Sequence, residues 1–464
     1  MREDRDIPTS RMARTALIGK VAAGQAARHA GAKIAMVGRD DDKKRAVLDR
    51  RQAEAAQALV DGLGLMRGAA MKVGQMLSMV DIGLVPEEFR ADFQRSLAQL
   101  RDSAPTVSFD KMRALIEAEL GGKLREHFAE FDEKPLGAAS IGQVYRARLH
   151  DGRAVAVKVQ YPGIDKAVRA DLKNLGMIMR AIKMLAPGLD VAATAQEIRE
   201  RIEEELDYEL EAQNQRMAAR LYAGHPFIVV PGVVSSMCTP HVLVTEFFEG
   251  TRFDDLADAD QALRDRVAEI VFRFFGGSLY RHHQFSPDPH PGNFLVGADG
   301  RVAFLDFGLY RVMDERSMRI QTEVLRAIVE HDPQRLHRAF AEYGFLPDPS
   351  RVTPELALRY VLEVFWWMAD DRDVQLDANS ASEAMVQTVN PTSDYFAIAR
   401  HQALPAEYIF VMRMVVMVMA AIGQLNATGN WTAITREWIY GAPPATELGR
   451  LDAAHFGTAI DVPA

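Results

Sequence analysis

Along the first hundred or so residues, apolar and small side chains recur at three- and four-residue intervals, which predicts helices. A charged interruption, RDDDKKRAVLDRRQ at residues 39–52, reads as a solvated face or loop. From about residue 125 the period shortens to two. SIGQVYRARL and RAVAVKVQ alternate apolar and polar positions around Asp151-Gly152, a dipeptide suited to a tight hairpin. Two further β-rich runs, IVVPGVV and HVLVTEFF, follow a long helical stretch over about 165–222. After FEGTRFDD the rhythm is helical again, apart from FLVG and VAFLDFG on either side of Asp299-Gly300, and the end of the chain from PAT to VPA reads as a loose tail.

One helical run carries an odd feature. In ALVDGLGLMRGAAMKVGQMLSM the basic Lys72 and polar Gln75 stand in an otherwise small and apolar setting. Taken alone, Lys72 is a surface lysine and Gly74 permits close helix packing.

The chain has 464 residues and 48% hydrophobic content, enough for a large core divided among two or three units. Its formal charge of -9 with interspersed signs supplies no basic footprint, so nucleic acid is not an expected partner. The single cysteine, Cys238, excludes an intrachain disulfide and a cysteine metal cluster. MREDRDIPTSRMARTALIG lacks the apolar core of a secretory signal, and a cytoplasmic setting is the expectation. YIFVMRMVVMVMAAIGQL, residues 408–425, is the best transmembrane candidate, but a mid-bilayer arginine such as Arg413 costs at least about 2.5 kcal/mol, and a buried helix is expected. Residues 15–36, rich in small residues and spaced cations, read first as a helix packed on the domain and second as a helix lying in a membrane interface, so peripheral membrane contact stays open.

Candidate chemistry sits at the β-rich boundaries. GAASIGQV at 137–144 opens a strand, and Lys158 in VAVKV follows Val144 by fourteen residues. That is the order of a kinase-type nucleotide hairpin, in which a glycine loop lets backbone amides approach phosphates and a lysine neutralises their charge. The loop here is Gly137, Ala139, Gly142 and Val144, with alanine in place of the middle glycine. Further on, Asp288 and Asn293 in DPHPGN stand five residues apart, and Asp306 in LDFG follows Asn293 by thirteen. Such spacing suits a catalytic aspartate and two oxygen ligands for Mg²⁺, which keeps further positions for phosphate and water. Lys158 then needs a glutamate on a helix, and Glu203, Glu204, Glu205, Glu209 and Glu211 all qualify. VTEFFEG reads as the linker between two lobes, where adenine pairs with backbone groups around Glu246 and Phe248, with Thr245 behind it.

These motifs together resemble the UbiB family of atypical kinases, also called the AarF-domain family, and its branch that includes the mitochondrial coenzyme Q kinase-like proteins. The resemblance runs from about residue 7 to about 425 and rests on KVGQ at 72–75, GAASIGQV, ELDYELEAQN at 205–214, DPHPGN and LDFG. It implies an α+β, two-lobed protein-kinase-like fold: a helical extension over 1–110 with the KxGQ motif, an N-lobe with a helical insert over 111–250, a mainly helical C-lobe over 251–442 and a tail over 443–464. It implies ATP and Mg²⁺ as cofactors, with Gly137, Ala138, Ala139, Ser140, Gly142 and Val144 around the nucleotide. It also implies Glu211 as the partner of Lys158, Glu205 and Asp207 as a regulatory Glu-x-Asp pair near nucleotide and metal, and Lys72 and Gln75 on a helix covering the pocket.

Three positions depart from the family pattern. Gly137 replaces the first of three alanines, which bears on ATP versus ADP preference. Ser286-Pro287 stands where His-Ala precedes the catalytic aspartate, removing an anchor from that loop, and no A-P-E follows LDFG, so activation-segment control of the usual kind is not expected. The leading expectation is an ATPase or small-molecule phosphotransferase serving isoprenoid-quinone or lipid metabolism. A protein kinase acting in trans and a nucleotide-binding pseudokinase scaffold are the alternatives. A metal site from His282, His283 and His290 is not expected, since adjacent histidines diverge and no cysteine assists.

Overall fold

A computed structural model describes residues 107–457 except 140, 171, 173–195, 197–198, 201, 382, 385–394, 396–397 and 399–405. Lys72, Gln75 and the expected helical extension with its KxGQ motif lie outside the described residues, as does Ser140. The chain forms two compact units, the first holding residues up to Ala212 with Val234–Phe247 and the second Gln213–Val233 with Phe248–Ala464. It passes from the first to the second for the last time inside VTEFFEG, at Phe247–Phe248.

In the first unit, helix α1 (Phe109–Leu120) precedes a short helix α2 (Leu124–His127) and strands β1 (Phe128–Phe131), β2 (Gly137–Ala139), β3 (Gly142–Leu149) and β4 (Ala154–Gln160). Next along the chain come helix α3 (Tyr208–Leu221), only whose start belongs to this unit, strand β5 (Ile228–Val229) of the second unit, and strand β6 (Val242–Glu246) of the first. The sheet runs β1-β3-β4-β6, all antiparallel, with β2 also paired to β3. The Asp151-Gly152 hairpin forms as its sequence predicts. Gly152 takes φ +89, and the Asp151 carboxylate accepts the Arg153 backbone N–H at 3.0 Å. Period-two alternation sorts β4 by face: Val155, Val157 and Val159 are fully buried, each contributing about 1.5–3 kcal/mol, while Ala154, Ala156 and Lys158 are only partly covered. Phe109 of α1 meets Phe131 and Tyr145, with ring centroids 5.8 and 5.7 Å apart, adding to that core.

The second unit is mainly helical. Strands β7 (Thr251–Arg252), β8 (Gln284–Phe285), β9 (Phe294–Val296), β10 (Val302–Phe304) and β11 (Arg311–Val312) accompany helices α4 (Gln261–His282), α5 (Glu315–Val329), α6 (Pro333–Glu342) and α7 (Pro354–Phe365). Then come β12 (Val374–Gln375), α8 (Ala406–Gln424), β13 (Thr428–Gly429), α9 (Trp431–Ile439) and α10 (Glu447–Phe456). Helix starts follow local chemistry: Asp260, Asp314, Asp332, Thr353, Asn430 and Thr446 cap α4 to α7, α9 and α10, and proline opens α6 and α7. β5, from IVVPGVV, joins this unit's sheet parallel to β10, in the order β5-β10-β9-β7.

Two expectations meet the structure here. Helix α8 is the former transmembrane candidate, and Phe410, Val411, Met414, Val418, Met419 and Ile422 bury it in the core of this unit. Among the described residues no helix is long and apolar enough to cross a membrane. The end of the chain, expected as a loose tail, is corrected: α10 lies there, because Thr446 caps it and Leu448, Gly449 and Asp452 are buried.

Candidate functional site

Lys158 sits on β4. Its register places Lys158 opposite Val144 of β3 and Leu243 of β6, so both flanking strands constrain its backbone. The ammonium donates to both Glu211 oxygens, at 2.7 and 2.9 Å, and lies 4.9 Å from the Tyr208 ring centroid. Tyr208 and Glu211 are three apart on α3 and therefore share a face. Glu211 is 3% exposed. Of the five candidate glutamates, the structure brings Glu211 to Lys158.

The glycine loop is a hairpin in which Gly137 pairs with Val144, Ala138 with Gln143 and Ala139 with Gly142. Its two glycines differ. A Cβ on Gly142 would stand 2.1 Å from the Val159 carbonyl oxygen, so glycine there is demanded by the approach of β3 to β4. A Cβ on Gly137 meets nothing within 4 Å, so that glycine is not demanded by packing. Asp207 is exposed, and its Oδ1 accepts the backbone N–H groups of Glu209 and Leu210 at 3.0 and 3.2 Å, satisfying donors of the first turn of α3. Glu205 is half-buried two residues earlier. Glu246 ends β6 exposed, and Phe248 follows across the unit boundary.

The second unit brings Asn293 and Asp306 together through a hairpin. Strands β9 and β10 pair Phe294 with Phe304, which sets Asn293 beside Leu305, whose N–H donates to the Asn293 carbonyl at 3.0 Å. Asp306 comes next. The Asn293 side-chain amide reaches Asp306 Oδ2 at 3.4 Å, and Asp306 Oδ1 accepts the Gly308 N–H at 2.9 Å. Outside this hairpin β8 pairs with β11, bracketing both motifs, and the Asn214 amide donates to the Phe307 carbonyl at 3.0 Å. In this arrangement the Asn293 amide nitrogen faces the carboxylate, and an amide and a carboxylate together offer oxygen donors of the hard kind that Mg²⁺ takes. No group of three or more His, Cys, Asp or Glu side chains able to hold a metal occurs among the described residues.

Asp288 has a partner that sequence reasoning missed. Arg413 Nη2, in the middle of α8, donates to Asp288 Oδ1 at 3.0 Å, with both side chains about four-fifths covered. The signal was present as an unexplained arginine in an apolar run. The Ser286 that replaces the family histidine is buried, and its Oγ accepts the Asp288 N–H at 3.4 Å, so a hydroxyl now anchors this turn. His290 does similar local work, its Nδ1 accepting the Gly292 N–H at 3.0 Å.

Comparison with known proteins adds to this geometry. The sequence pattern of the ABC1 atypical kinase-like domain matches residues 99–340. The chain is 33% identical over 292 residues to the rat protein named "Atypical kinase COQ8B, mitochondrial", covering 63% of this chain and 54% of that one. It is 32% identical to "AarF domain-containing protein kinase 1" of Xenopus tropicalis, covering 61% and 54%. The chain spans about half the length of the curated relatives it matches. Among solved structures, that of Rv3197 with erythromycin from Mycobacterium tuberculosis superposes with a TM-score of 0.61 at 32% identity, covering 86% of this chain and 98% of that one.

Proposed function

The chain belongs to the ABC1 atypical kinase-like family, and on that premise we propose that it binds ATP with Mg²⁺ and turns it over, by hydrolysis or by phosphoryl transfer to a small molecule. The Lys158–Glu211 pair carries this reading, because a lysine held by a buried carboxylate at 2.7 Å is a positioned cation on a strand behind a glycine hairpin. Lys158 is assigned to the phosphates, and Gly137, Ala138, Ala139, Ser140, Gly142 and Val144 to the nucleotide. The adenine is assigned to backbone groups around Glu246 and Phe248. Asn293 and Asp306 are assigned to Mg²⁺, which when bound neutralises charge on the transferring phosphate. Asp288 orients the nucleophile, with Arg413 fixing its carboxylate from the opposite oxygen. Phosphoryl transfer asks mainly for positioning and charge neutralisation, so the same residues serve water or a lipid hydroxyl.

The resemblance to the coenzyme Q branch directs the choice of acceptor to isoprenoid-quinone or lipid metabolism, at a peripheral membrane surface. Lys72 and Gln75 are assigned to a cover over the pocket and Glu205 and Asp207 to its regulation; unchanged turnover and nucleotide affinity in a folded Lys72→Ala variant would reduce KVGQ to packing. The test of the whole reading incubates the protein with Mg²⁺ and γ-labelled ATP, with and without anionic liposomes and phenolic quinone precursors. Free phosphate or a labelled small molecule, lost in Asp306→Asn, is the expected result. Label on a separate protein overturns it in favour of a kinase acting in trans, and nucleotide binding without turnover overturns it in favour of a scaffold.

A further inference from the structure

We propose that Gln160 is a positioning residue that locks the start of α3 onto the lysine strand and so holds Glu211 and Tyr208 against the Lys158 ammonium. The proposal rests on the nucleotide reading of Lys158. Gln160 lies two residues beyond Lys158 at the end of β4, so the pleat puts both side chains on one face of the strand. It has no exposed surface. Its Nε2 donates to the Leu206 carbonyl at 2.8 Å and to the Pro240 carbonyl at 3.2 Å. The Pro240 carbonyl also accepts the Tyr208 N–H at 3.0 Å, where α3 begins. Leu206 stands between Glu205 and Asp207. One carboxamide therefore ties together the lysine strand, the Glu-x-Asp turn, the first residue of α3 and the turn leading into β6.

The same amide leaves an acceptor unused. Gln160 Oε1 is buried with no hydrogen-bond partner. A buried polar atom without a partner costs free energy, so an apolar residue of the same length would spare the oxygen penalty, and a side chain kept only for packing gains nothing from this amide. What the amide uniquely provides is a pair of donors aimed at two carbonyls from different segments. Along one face of β4, Gln160 thus grips the backbone before α3 while Lys158 grips side chains one turn later, and the two holds set the approach of Glu211 together.

The test uses Gln160→Met, which keeps length and removes both donors, and reads Lys158 directly. Competitive acetylation followed by peptide mass spectrometry measures Lys158 relative to exposed Lys166. A lysine released from its carboxylate loses the partner that favours its charged form, so Lys158 labelling should rise about threefold or more against Lys166. The KM for MgATP should rise about fivefold or more with a smaller change in kcat, as expected when a binding cation is misplaced. A folded Gln160→Met variant with wild-type Lys158 labelling overturns the proposal. If that variant does not fold, Gln160→Glu decides, because a carboxylate repels the two carbonyls whereas its protonated form restores one donor. Its KM ratio to wild type should be large near pH 8 and fall towards one near pH 6, while a ratio independent of pH overturns the proposal. Wild-type protein that never turns over ATP refutes the nucleotide reading alone, since the labelling result still judges Gln160.

Discussion

The lysine cluster of the first unit and the aspartate loop of the second achieve positioning by opposite routes. Lys158 and Glu211 are 53 residues apart, yet they meet at 2.7 Å with the carboxylate buried. Asn293 and Asp306 are 13 apart, joined by one hairpin, and sit at a looser 3.4 Å. The tight pair is a tertiary product, stiffened by sheet pairing on both sides of β4. The looser pair is local, set by a single hairpin.

The largest expected effect tests the looser cluster. Asp306→Asn keeps the size of the side chain and an oxygen that can accept the Gly308 N–H, so the fold should persist, yet phosphate release should fall by about a hundredfold or more. Retained release at saturating Mg²⁺ would break the contrast. Replacing the lysine tests the tight cluster. Lys158→Met removes the ammonium bonded to the buried Glu211 carboxylate, and denaturant unfolding should report a loss of about 1–3 kcal/mol along with a raised KM for ATP. If only activity changes, that pair is no stiffer than the Asn293–Asp306 pair.

A comparison within the glycine hairpin is smaller in activity but sharp in stability. Gly142→Ala drives a methyl into the Val159 carbonyl and should cost about 2–3 kcal/mol, whereas Gly137→Ala should leave the melting temperature unchanged. Any effect of Gly137→Ala should then appear in the ratio of ATP to ADP affinity, measured by calorimetric titration. Arg413→Gln should lower kcat by about tenfold with little change in KM, because Asp288 keeps its place in the loop and loses only its orienting partner; Arg413→Lys should recover part of the rate.

The smallest expected effect is a pH dependence confined to the second unit. Burial, reinforced by neighbouring Arg281, pushes the His282 imidazole down to about 4, and burial also lowers His225, whose Nδ1 accepts the Ile228 N–H. The unfolded chain then binds more protons than the folded one between the ordinary histidine value near 6.5 and about 4. The stability these groups contribute is full above about 6.5 and lost as pH falls towards 4. Urea unfolding across this range, monitored with His282→Gln, should show a shallower acid limb in the variant. An identical limb would place the acid sensitivity elsewhere.

Much of this architecture was legible in the sequence wherever the determinant is local. Asp151-Gly152 and Asp299-Gly300 specify hairpins through turn chemistry, and both glycines adopt positive φ. The second hairpin alone brings Asn293 to Asp306, which is why a thirteen-residue spacing carried information. Capping residues mark the helix starts of the second unit for the same reason. Elsewhere the sequence was ambiguous. Five glutamates on one acidic stretch are equivalent by composition, and the resemblance singled out Glu211 only by motif. The tail was misread because α10 is held by its buried residues, whose partners lie far away in the chain: Asp452 accepts from Arg281 at 3.1 Å and meets His225 at 3.1 Å.

By itself, then, the sequence determined the order of hairpin, lysine, acidic helix, aspartate loop and second hairpin, because turn propensity and short spacing act between neighbours. Tertiary structure alone decided that Glu211 is the lysine's partner, that Gln160 donates to the carbonyls of Leu206 before α3 and Pro240 before β6, and that Arg413, an apparent anomaly in an apolar helix, belongs to Asp288. Each of these depends on groups 46 to 125 residues apart, whose meeting is selected by burial and hydrogen-bond satisfaction over the whole unit and leaves no periodic trace in the chain.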